Sequence, residues 1–191
     1  MALWQTTRFR LDLTRPLVMG IVNNTPDSFS DGGHHHSVTA ALRHAEKLLK
    51  DGAHILDIGG ESTRPGSPAV PLEEEMRRVL PFVQAAVQFG VPISVDTYKA
   101  QVMQAVLDAG ADIINDVWAL RQPGAQSVVA NHPQCGVVLM HMHKTPQDMQ
   151  QTPMQGDAVA QVQNFLAQQT QALLALGVER QRIVWDYGIG F

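Results

Sequence analysis

The chain has 191 residues, of which 45% are hydrophobic, and this is enough for one domain with a buried core over residues 1–191. Its net charge of −4, from 14 basic and 18 acidic residues, excludes the basic surface that a nucleic-acid-binding protein needs. The single cysteine excludes an internal disulfide framework. The sequence has neither a signal peptide nor an apolar run long enough to span a membrane, so we expect a cytoplasmic protein without a membrane partner.

Short apolar runs alternate with longer amphipathic segments along the chain. The first segment, Leu3–Leu13, alternates weakly and predicts a hairpin that caps one end of the domain. Six apolar runs predict strands at Leu17–Val22, His54–Ile58, Pro92–Val95, Asp112–Ile114, Val137–Met140 and Arg182–Trp185. Five segments between them predict helices at Ser37–Lys50, Pro71–Phe89, Ala100–Leu107, Gly124–Ala130 and Asp157–Leu176.

This alternation of strands and helices, with short connections, predicts a parallel sheet with right-handed crossovers. Two architectures fit the pattern, a doubly wound open sheet and a (β/α)8 barrel. No G-x-G-x-x-G follows the first strand, which counts against a dinucleotide-binding sheet. Nearly every predicted strand ends in a side chain that can hydrogen-bond a ligand, as in barrel enzymes. The sequence therefore favours an α/β fold of the (β/α)8 TIM barrel type, with about six β/α units present.

The loop after the first strand, Asn23–Gly33, reads N-N-T-P-D-S-F-S-D-G-G and is dense in turn-forming residues. Composition alone leaves open whether it is an ordinary connection or an active-site loop. As an active-site loop it would use Asn23 at the strand end, Asp27 and Asp31 facing a cation, and Phe29 covering an aromatic substrate. Oxygen ligands without a full carboxylate cage suit magnesium that arrives on a phosphate.

The loop after the second strand, Gly59–Gly66, reads G-G-E-S-T-R-P-G. Its glycines let the backbone approach a ligand closely. Thr63 offers a hydroxyl, and Arg64 offers a planar fork that suits phosphate or carboxylate. This string is much more specific than a bare glycine-rich turn, and it predicts a second ligand-binding loop.

Three further polar residues, Asp96, Asn115 and Asp186, end separate predicted strands. They converge on one axis if the sheet closes, although each alone can also be a simple strand-end cap. A carboxylate accepts from ring N–H and amino groups, and an asparagine amide both donates and accepts. Because a buried polar group left unpaired costs about 1–3 kcal/mol, such a pocket selects planar heterocycles with matching edges.

The two loop motifs, followed in order by S-V-D-T, I-I-N-D-V and L-M-H-M, closely resemble the dihydropteroate synthase family from Leu17 to Phe191. The resemblance implies a (β/α)8 barrel enzyme of folate biosynthesis. This enzyme joins a dihydropterin methyl pyrophosphate to 4-aminobenzoate, releases pyrophosphate and uses Mg2+. The resemblance also implies a homodimer.

The resemblance implies a role for each matching residue. Asn23 is the expected magnesium ligand, and Asp27 and Asp31 are expected near the metal and the pyrophosphate. Asp96 and Asp186 are the expected catalytic residues, because their carboxylates favour positive charge that develops on the pterin ring. The implied substrate-binding residues are Phe29, Thr63, Arg64, Pro65, Asp96, Asn115, Asp186 and Phe191.

Three departures from the family pattern stand out. The family's D-P-G-F-G-F is D-Y-G-I-G-F at 186–191, and Asn24 replaces a usual valine. The lysine, serine-arginine, arginine and histidine of the family's seventh and eighth strands have no counterpart here. We therefore expect a fragment or truncated copy with low activity of its own. Two alternatives remain open, a non-catalytic truncated pterin-binding paralogue and a pterin-binding methyltransferase barrel.

Overall fold

A computed structural model describes the backbone of residues 2–23, 33–62, 67–143 and 154–189, and their side chains except at 33–37. Its strands are β1 (Leu3–Gln5), β2 (Arg10–Asp12), β3 (Met19–Asn23), β4 (Ile55–Gly59), β5 (Ile93–Asp96), β6 (Ile113–Asp116), β7 (Gly136–Met140) and β8 (Ile183–Asp186). Its helices are α1 (Gly33–Lys50), α2 (Leu72–Ala86), α3 (Ala100–Asp108), α4 (Ala125–Asn131) and α5 (Ala158–Ala175). Short 3-10 turns follow α2 at Val87–Phe89 and precede β8 at Arg180–Arg182.

The predicted order of strands and helices is confirmed. Strands β3 to β8 form one parallel sheet in sequence order, and β1 pairs with β2 in the predicted antiparallel hairpin. Consecutive parallel strands with a helix between each pair form the β/α units of a TIM barrel, which is partly present here. Helix α1 begins at Gly33, four residues before the predicted Ser37. The apolar periodicity begins only at Val38, so the pattern did not reveal the first turn.

The sheet has two different faces. The outer face packs against the helices through a large core that includes Ile58, Val95 and Leu139. The inner face carries a second, smaller cluster around Trp4, with Ile55 and Val138. Since side chains of a strand alternate between faces, these two clusters fix which residues of each strand point inward.

The hairpin covers the amino ends of the strands, as predicted. The Trp4 indole Nε1 donates to the carbonyl oxygen of Arg182 at 2.9 Å in a buried bond. The Arg8 guanidinium forms an ion pair with the buried carboxylate of Asp112, which also accepts from the Ile93 amide at 2.9 Å. Met19 on β3 and Val184 on β8 both pack against the Trp4 cluster. The hairpin therefore joins the two outermost strands of the sheet at this end.

No helix in the described part of the chain combines the length and apolar character that crossing a bilayer requires.

Candidate active site

The polar residues predicted at the strand ends lie on the inner face. Strand register aligns Asn23 with Gly59, Gly59 with Asp96, and Asp96 with Asn115. Asp186 lies further along, opposite Met140 of β7. Alternation along each strand gives these residues the same orientation as the inward cluster around Trp4. Four strands therefore bring four of the predicted site residues to one end of one face.

Asp57 joins this set; it lies near the end of the second predicted strand, where the sequence predicts side chains that can hydrogen-bond a ligand, but the sequence assigns it no site role. It lies two residues before Gly59 on β4, so it also faces inward, and it is only 5% exposed. The Asn115 amide donates from Nδ2 to Asp57 Oδ2 at 3.1 Å. This bond orients the amide, and its oxygen, which accepts no bond from the described residues, can accept from a ligand.

Two acceptor atoms in this cluster lack partners. Asp57 Oδ1 and Asp96 Oδ1 are buried and accept no hydrogen bond from the described residues, and the Ser94 hydroxyl, opposite Asp57 on β5, is near enough to act on its carboxylate but forms no well-aligned bond with it. Buried polar groups are normally paired, because an unpaired one costs about 1–3 kcal/mol. The geometry therefore suits a ligand that brings N–H or amino donors to these two oxygens.

The cluster is strongly negative for a buried site. Burial raises the pKa of Asp96 well above its usual value, and the nearby carboxylates, chiefly Asp57 and Asp116, raise it further. Burial also raises the pKa of Asp57, against the opposing effect of the Ser94 hydroxyl and the Asn115 amide. A ligand that carries hydrogen-bond donors or positive charge would stabilise the ionised carboxylates.

A cleft of about 430 Å³ opens on the inner face. Its lining includes Trp4 and Met19 towards the amino ends of the strands, and Asn115 and Asp186 towards the carboxyl ends. Asp186 Oδ1 accepts from the Gly188 amide at 2.8 Å, which fixes the carboxylate against its own loop. The cleft therefore combines an apolar base with a polar end, as small-molecule sites do.

Asn23 lies at the carboxyl end of β3, beside Gly59 of β4, which has no side chain. Its Oδ1 lies 3.2 Å from the place that a Cβ on Gly59 would take. The glycine thus leaves space for the Asn23 amide. No group of three or more His, Cys, Asp or Glu in the described ranges can hold a metal ion by itself. A hard cation bound at Asn23 would therefore need oxygen atoms from a ligand or water.

Seven of the predicted site residues lie outside the described residues, and their roles stay predictions. They are Asp27, Phe29 and Asp31 of the first loop, Thr63, Arg64 and Pro65 of the second loop, and Phe191.

Asp116 follows Asn115 but faces the opposite side of the sheet. Its carboxylate accepts from the amides of Trp118 at 2.8 Å and Leu120 at 2.7 Å. These bonds close a turn in which Ala119 and Leu120 have positive φ values of 51° and 59°. Asp116 therefore stabilises the loop that follows β6 and does not line the inner face.

The Asp116 carboxyl group makes stability depend on pH. Burial raises its pKa from 3.8 to about 7, against the opposing effect of the two amides and Arg121. Between these two pH values the folded protein holds a proton on Asp116 that the unfolded chain releases. The stabilisation from this proton is therefore complete below about pH 4 and is lost by about pH 7. We expect the free energy of unfolding in urea to decrease less steeply over this range in Asp116→Asn. An identical slope in the variant would contradict this assignment.

Comparison with known proteins supports the same family. The family model described as "Pterin binding enzyme" matches residues 19–191. Dihydropteroate synthase of Neisseria meningitidis serogroup B is 48% identical over 189 residues. The Burkholderia cenocepacia dihydropteroate synthase structure, complexed with 7,8-dihydropteroate, is 50% identical with a TM-score of 0.89. The Xanthomonas albilineans structure with 4-aminobenzoic acid is 52% identical with a TM-score of 0.86.

These matches cover nearly all of this chain but only part of each relative. The alignments cover 98% of this chain and 66% of the Neisseria protein, 100% and 64% for the Burkholderia structure, and 95% and 64% for the Xanthomonas structure. The chain thus spans about two thirds of the length of these relatives. The inward acids and amides lie within the matched region, and the chain belongs to the pterin-binding enzyme family, in its dihydropteroate synthase group.

Proposed function

We propose that this chain binds a dihydropterin methyl pyrophosphate on the inner face of the sheet and joins it to 4-aminobenzoate. The observation that carries the proposal is the inward set of Asp57, Asp96, Asn115 and Asp186, whose oxygens suit a flat ring with N–H and amino edges. Two solved relatives support the proposal, because the Burkholderia cenocepacia structure holds 7,8-dihydropteroate, the product of this reaction, and the Xanthomonas albilineans structure holds 4-aminobenzoic acid.

In this reaction the bond between the exocyclic methylene carbon and the pyrophosphate oxygen breaks, and a carbon–nitrogen bond forms with the arylamine. The leaving pyrophosphate takes the electron pair, and the amine loses a proton after attack. Positive charge develops on the pterin as the bond breaks. The carboxylates of Asp96 and Asp186 would stabilise that charge, with Asp57 adding to the field. The amine needs correct placement more than strong activation.

A covalent enzyme intermediate is not part of the proposal. Cys135 has no exposed surface, and burial raises the pKa of its thiol. Its sulfur lies 3.2 Å from a guanidinium nitrogen of Arg182, which is itself buried. A nucleophilic cysteine needs access and a low pKa, so direct attack by the arylamine is the simpler route.

Magnesium fits the carboxyl end of β3. The Asn23 side-chain oxygen, at the exposed carboxyl end of β3, suits a hard cation that takes its other ligands from pyrophosphate and water. When bound there, magnesium would neutralise charge on the departing pyrophosphate. Following the family resemblance, we assign Asp27 and Asp31 to the metal and pyrophosphate region. We assign substrate contacts to Phe29, Thr63, Arg64, Pro65 and Phe191.

The metal assignment predicts a selective loss in Asn23→Ala. Affinity for the pterin pyrophosphate in the presence of magnesium should fall by roughly tenfold, about the value of one polar interaction. Affinity for a pterin without pyrophosphate should change much less. Calorimetric titrations with both ligands test this, with Asn131→Ala at the exposed end of α4 as the control. Equal losses for both ligands would argue against a metal role.

The proposed reaction itself is tested in two stages. The pterin pyrophosphate is titrated with and without magnesium, and pyrophosphate release is then followed after 4-aminobenzoate is added. Magnesium-dependent binding followed by release supports the synthase reaction. Binding without release supports a non-catalytic pterin-binding protein. Absence of pterin binding contradicts both.

A further inference from the structure

Lys99 joins two acidic residues behind the inner-face site. Its ammonium forms ion pairs with Glu61, which follows β4, and with Glu75 of α2. The three side chains are 15%, 10% and 1% exposed, respectively. Burial lowers the pKa of Lys99, but the two carboxylates raise it by more, so the ammonium form is stabilised. The cluster therefore places a partly buried cation between a partly buried and a fully buried carboxylate.

Both carboxylates in this cluster have a partner for each oxygen. The Tyr98 hydroxyl donates to Glu61 Oε1 at 2.8 Å, and the Thr97 hydroxyl donates to Glu75 Oε1 at 2.6 Å. The Lys99 ammonium bonds the second oxygen of each and lies 4.4 Å from the centre of the Tyr98 ring. Such fully paired networks hold their members in fixed positions.

The network connects three elements around Asp96. Thr97, Tyr98 and Lys99 directly follow Asp96 at the end of β5, and Glu61 lies two residues after Gly59 at the end of β4. The adjacent Gly60 is packed so closely on α2 that a Cβ would lie 2.6 Å from Val79 Cγ1. The ends of β4 and β5 are thus fixed to α2. The Lys99 ammonium is the group that bonds both Glu61, after β4, and Glu75, on α2.

Lys99 also pairs with two of the acidic residues that act on Asp96. The acidic groups that act on Asp96 are Asp57 on β4, Asp116 on β6, Glu75 on α2 and Glu61 after β4. Lys99 is paired with the last two of these. Without its ammonium, four carboxylates would surround Asp96 with no cation paired to Glu61 or Glu75. Close, poorly solvated like charges favour protonation.

We propose that Lys99 is a positioning residue for pterin binding, which ties the ends of β4 and β5 to α2 and compensates the charge of Glu61 and Glu75 beside Asp96. This inference rests on the proposed function, because it takes Asp96 as a ligand of the pterin ring. It goes beyond that function by assigning a role to a residue that does not touch the ring.

The test measures affinity for 6-hydroxymethylpterin by calorimetry between pH 5.5 and 8.5 without magnesium, so that pyrophosphate and metal play no part. Lys99→Met removes the charge and keeps much of the side-chain volume. Glu61→Gln removes one anion and keeps an acceptor for Tyr98. Lys99→Arg restores a cation, and Lys47→Met on exposed α1 is the matched control.

We expect opposite shifts in the two test variants. In Lys99→Met the pH below which pterin affinity is lost should rise by about one unit. Affinity near pH 6 should then be about tenfold lower than in the unchanged protein, and it should recover by pH 8.5. In Glu61→Gln the same loss should move to lower pH. Lys99→Arg and Lys47→Met should stay within about threefold of the unchanged protein throughout.

Three results would overturn the inference. An unchanged pH profile in Lys99→Met excludes the charge role. An equal loss at every pH indicates loosening of the fold without charge compensation. If Lys99→Met does not fold, Glu61→Gln tests the charge role independently. The role is excluded if the pH at which this variant loses pterin affinity is unchanged or higher. If the unchanged protein does not bind the pterin, the proposed function fails as well. Binding by the unchanged protein therefore separates failure of the Lys99 inference from failure of the proposed function.

Discussion

Replacing Asp96 by asparagine is expected to weaken pterin binding by about 1–3 kcal/mol, or roughly 5- to 150-fold. Asp96 Oδ1 is buried without a partner among the described residues, and it faces the inner side of the sheet beside Asn115. Asparagine replaces a charged acceptor by a neutral amide whose NH2 group cannot accept from the ring. Calorimetric titration of the folded variant above neutral pH, where the native carboxylate is more fully ionised, measures the loss.

The same variant should keep or gain stability, and this separates ligand binding from damage to the fold. Burial and nearby carboxylates raise the pKa of Asp96, so its ionised form is costly in the empty protein. Removing that charge should raise the free energy of unfolding above neutral pH. Asp108→Asn at the exposed end of α3 serves as the control. An unchanged dissociation constant in folded Asp96→Asn would show that Asp96 does not contact the ring.

Gly188→Ala should damage both the fold and the site. Gly188 has a φ of +62°, and a Cβ there would lie 1.9 Å from the backbone oxygen of His141. The alanine therefore forces the chain after β8 away from β7, at an expected cost of at least about 2 kcal/mol in the free energy of unfolding. Because the Gly188 amide donates to Asp186 Oδ1, the Asp186 carboxylate should move as well and pterin affinity should fall.

Gly177→Ala is the matched control for Gly188→Ala. Gly177 also has a positive φ, of +87°, but apart from its chain neighbours no described residue has an atom within 4 Å of its added Cβ. Its loss of stability should be about 1 kcal/mol, the cost of the backbone conformation alone. Urea denaturation of both variants gives the comparison. If Gly188→Ala loses no more stability and no more affinity than Gly177→Ala, the close approach to His141 does not hold Asp186 in place.

Local sequence patterns predicted the fold well, because each signal involves residues close together in the chain. Apolar runs of three to six residues separated by amphipathic segments indicated every strand of the sheet. The start of α1 was predicted late, since its first turn carries no apolar periodicity. Strand ends also identified Asn23, Asp96, Asn115 and Asp186 as neighbours, because parallel strands place their carboxyl ends together.

Such local patterns could not predict contacts between segments that are far apart in the sequence. Nothing local distinguishes the inward Asn115 from the outward Asp116, and only strand register assigns their faces. The pairing of Lys99 with Glu61 and Glu75 spans 38 and 24 residues of sequence, so no periodicity reveals it. The roles within the two loop motifs rest on their residue types and on the family resemblance, and those of Asp27, Phe29, Asp31 and residues 63–65 stay predictions.

Recognition of the amino edge of the ring is tested most directly by comparing pterin with lumazine, in which an oxygen replaces the 2-amino group. Carboxylates on the inner face can accept from the amino group but repel the oxygen, so pterin should bind at least about tenfold more tightly in parallel titrations. Equal affinities, or tighter binding of lumazine, would contradict a pterin site built from Asp57, Asp96, Asn115 and Asp186.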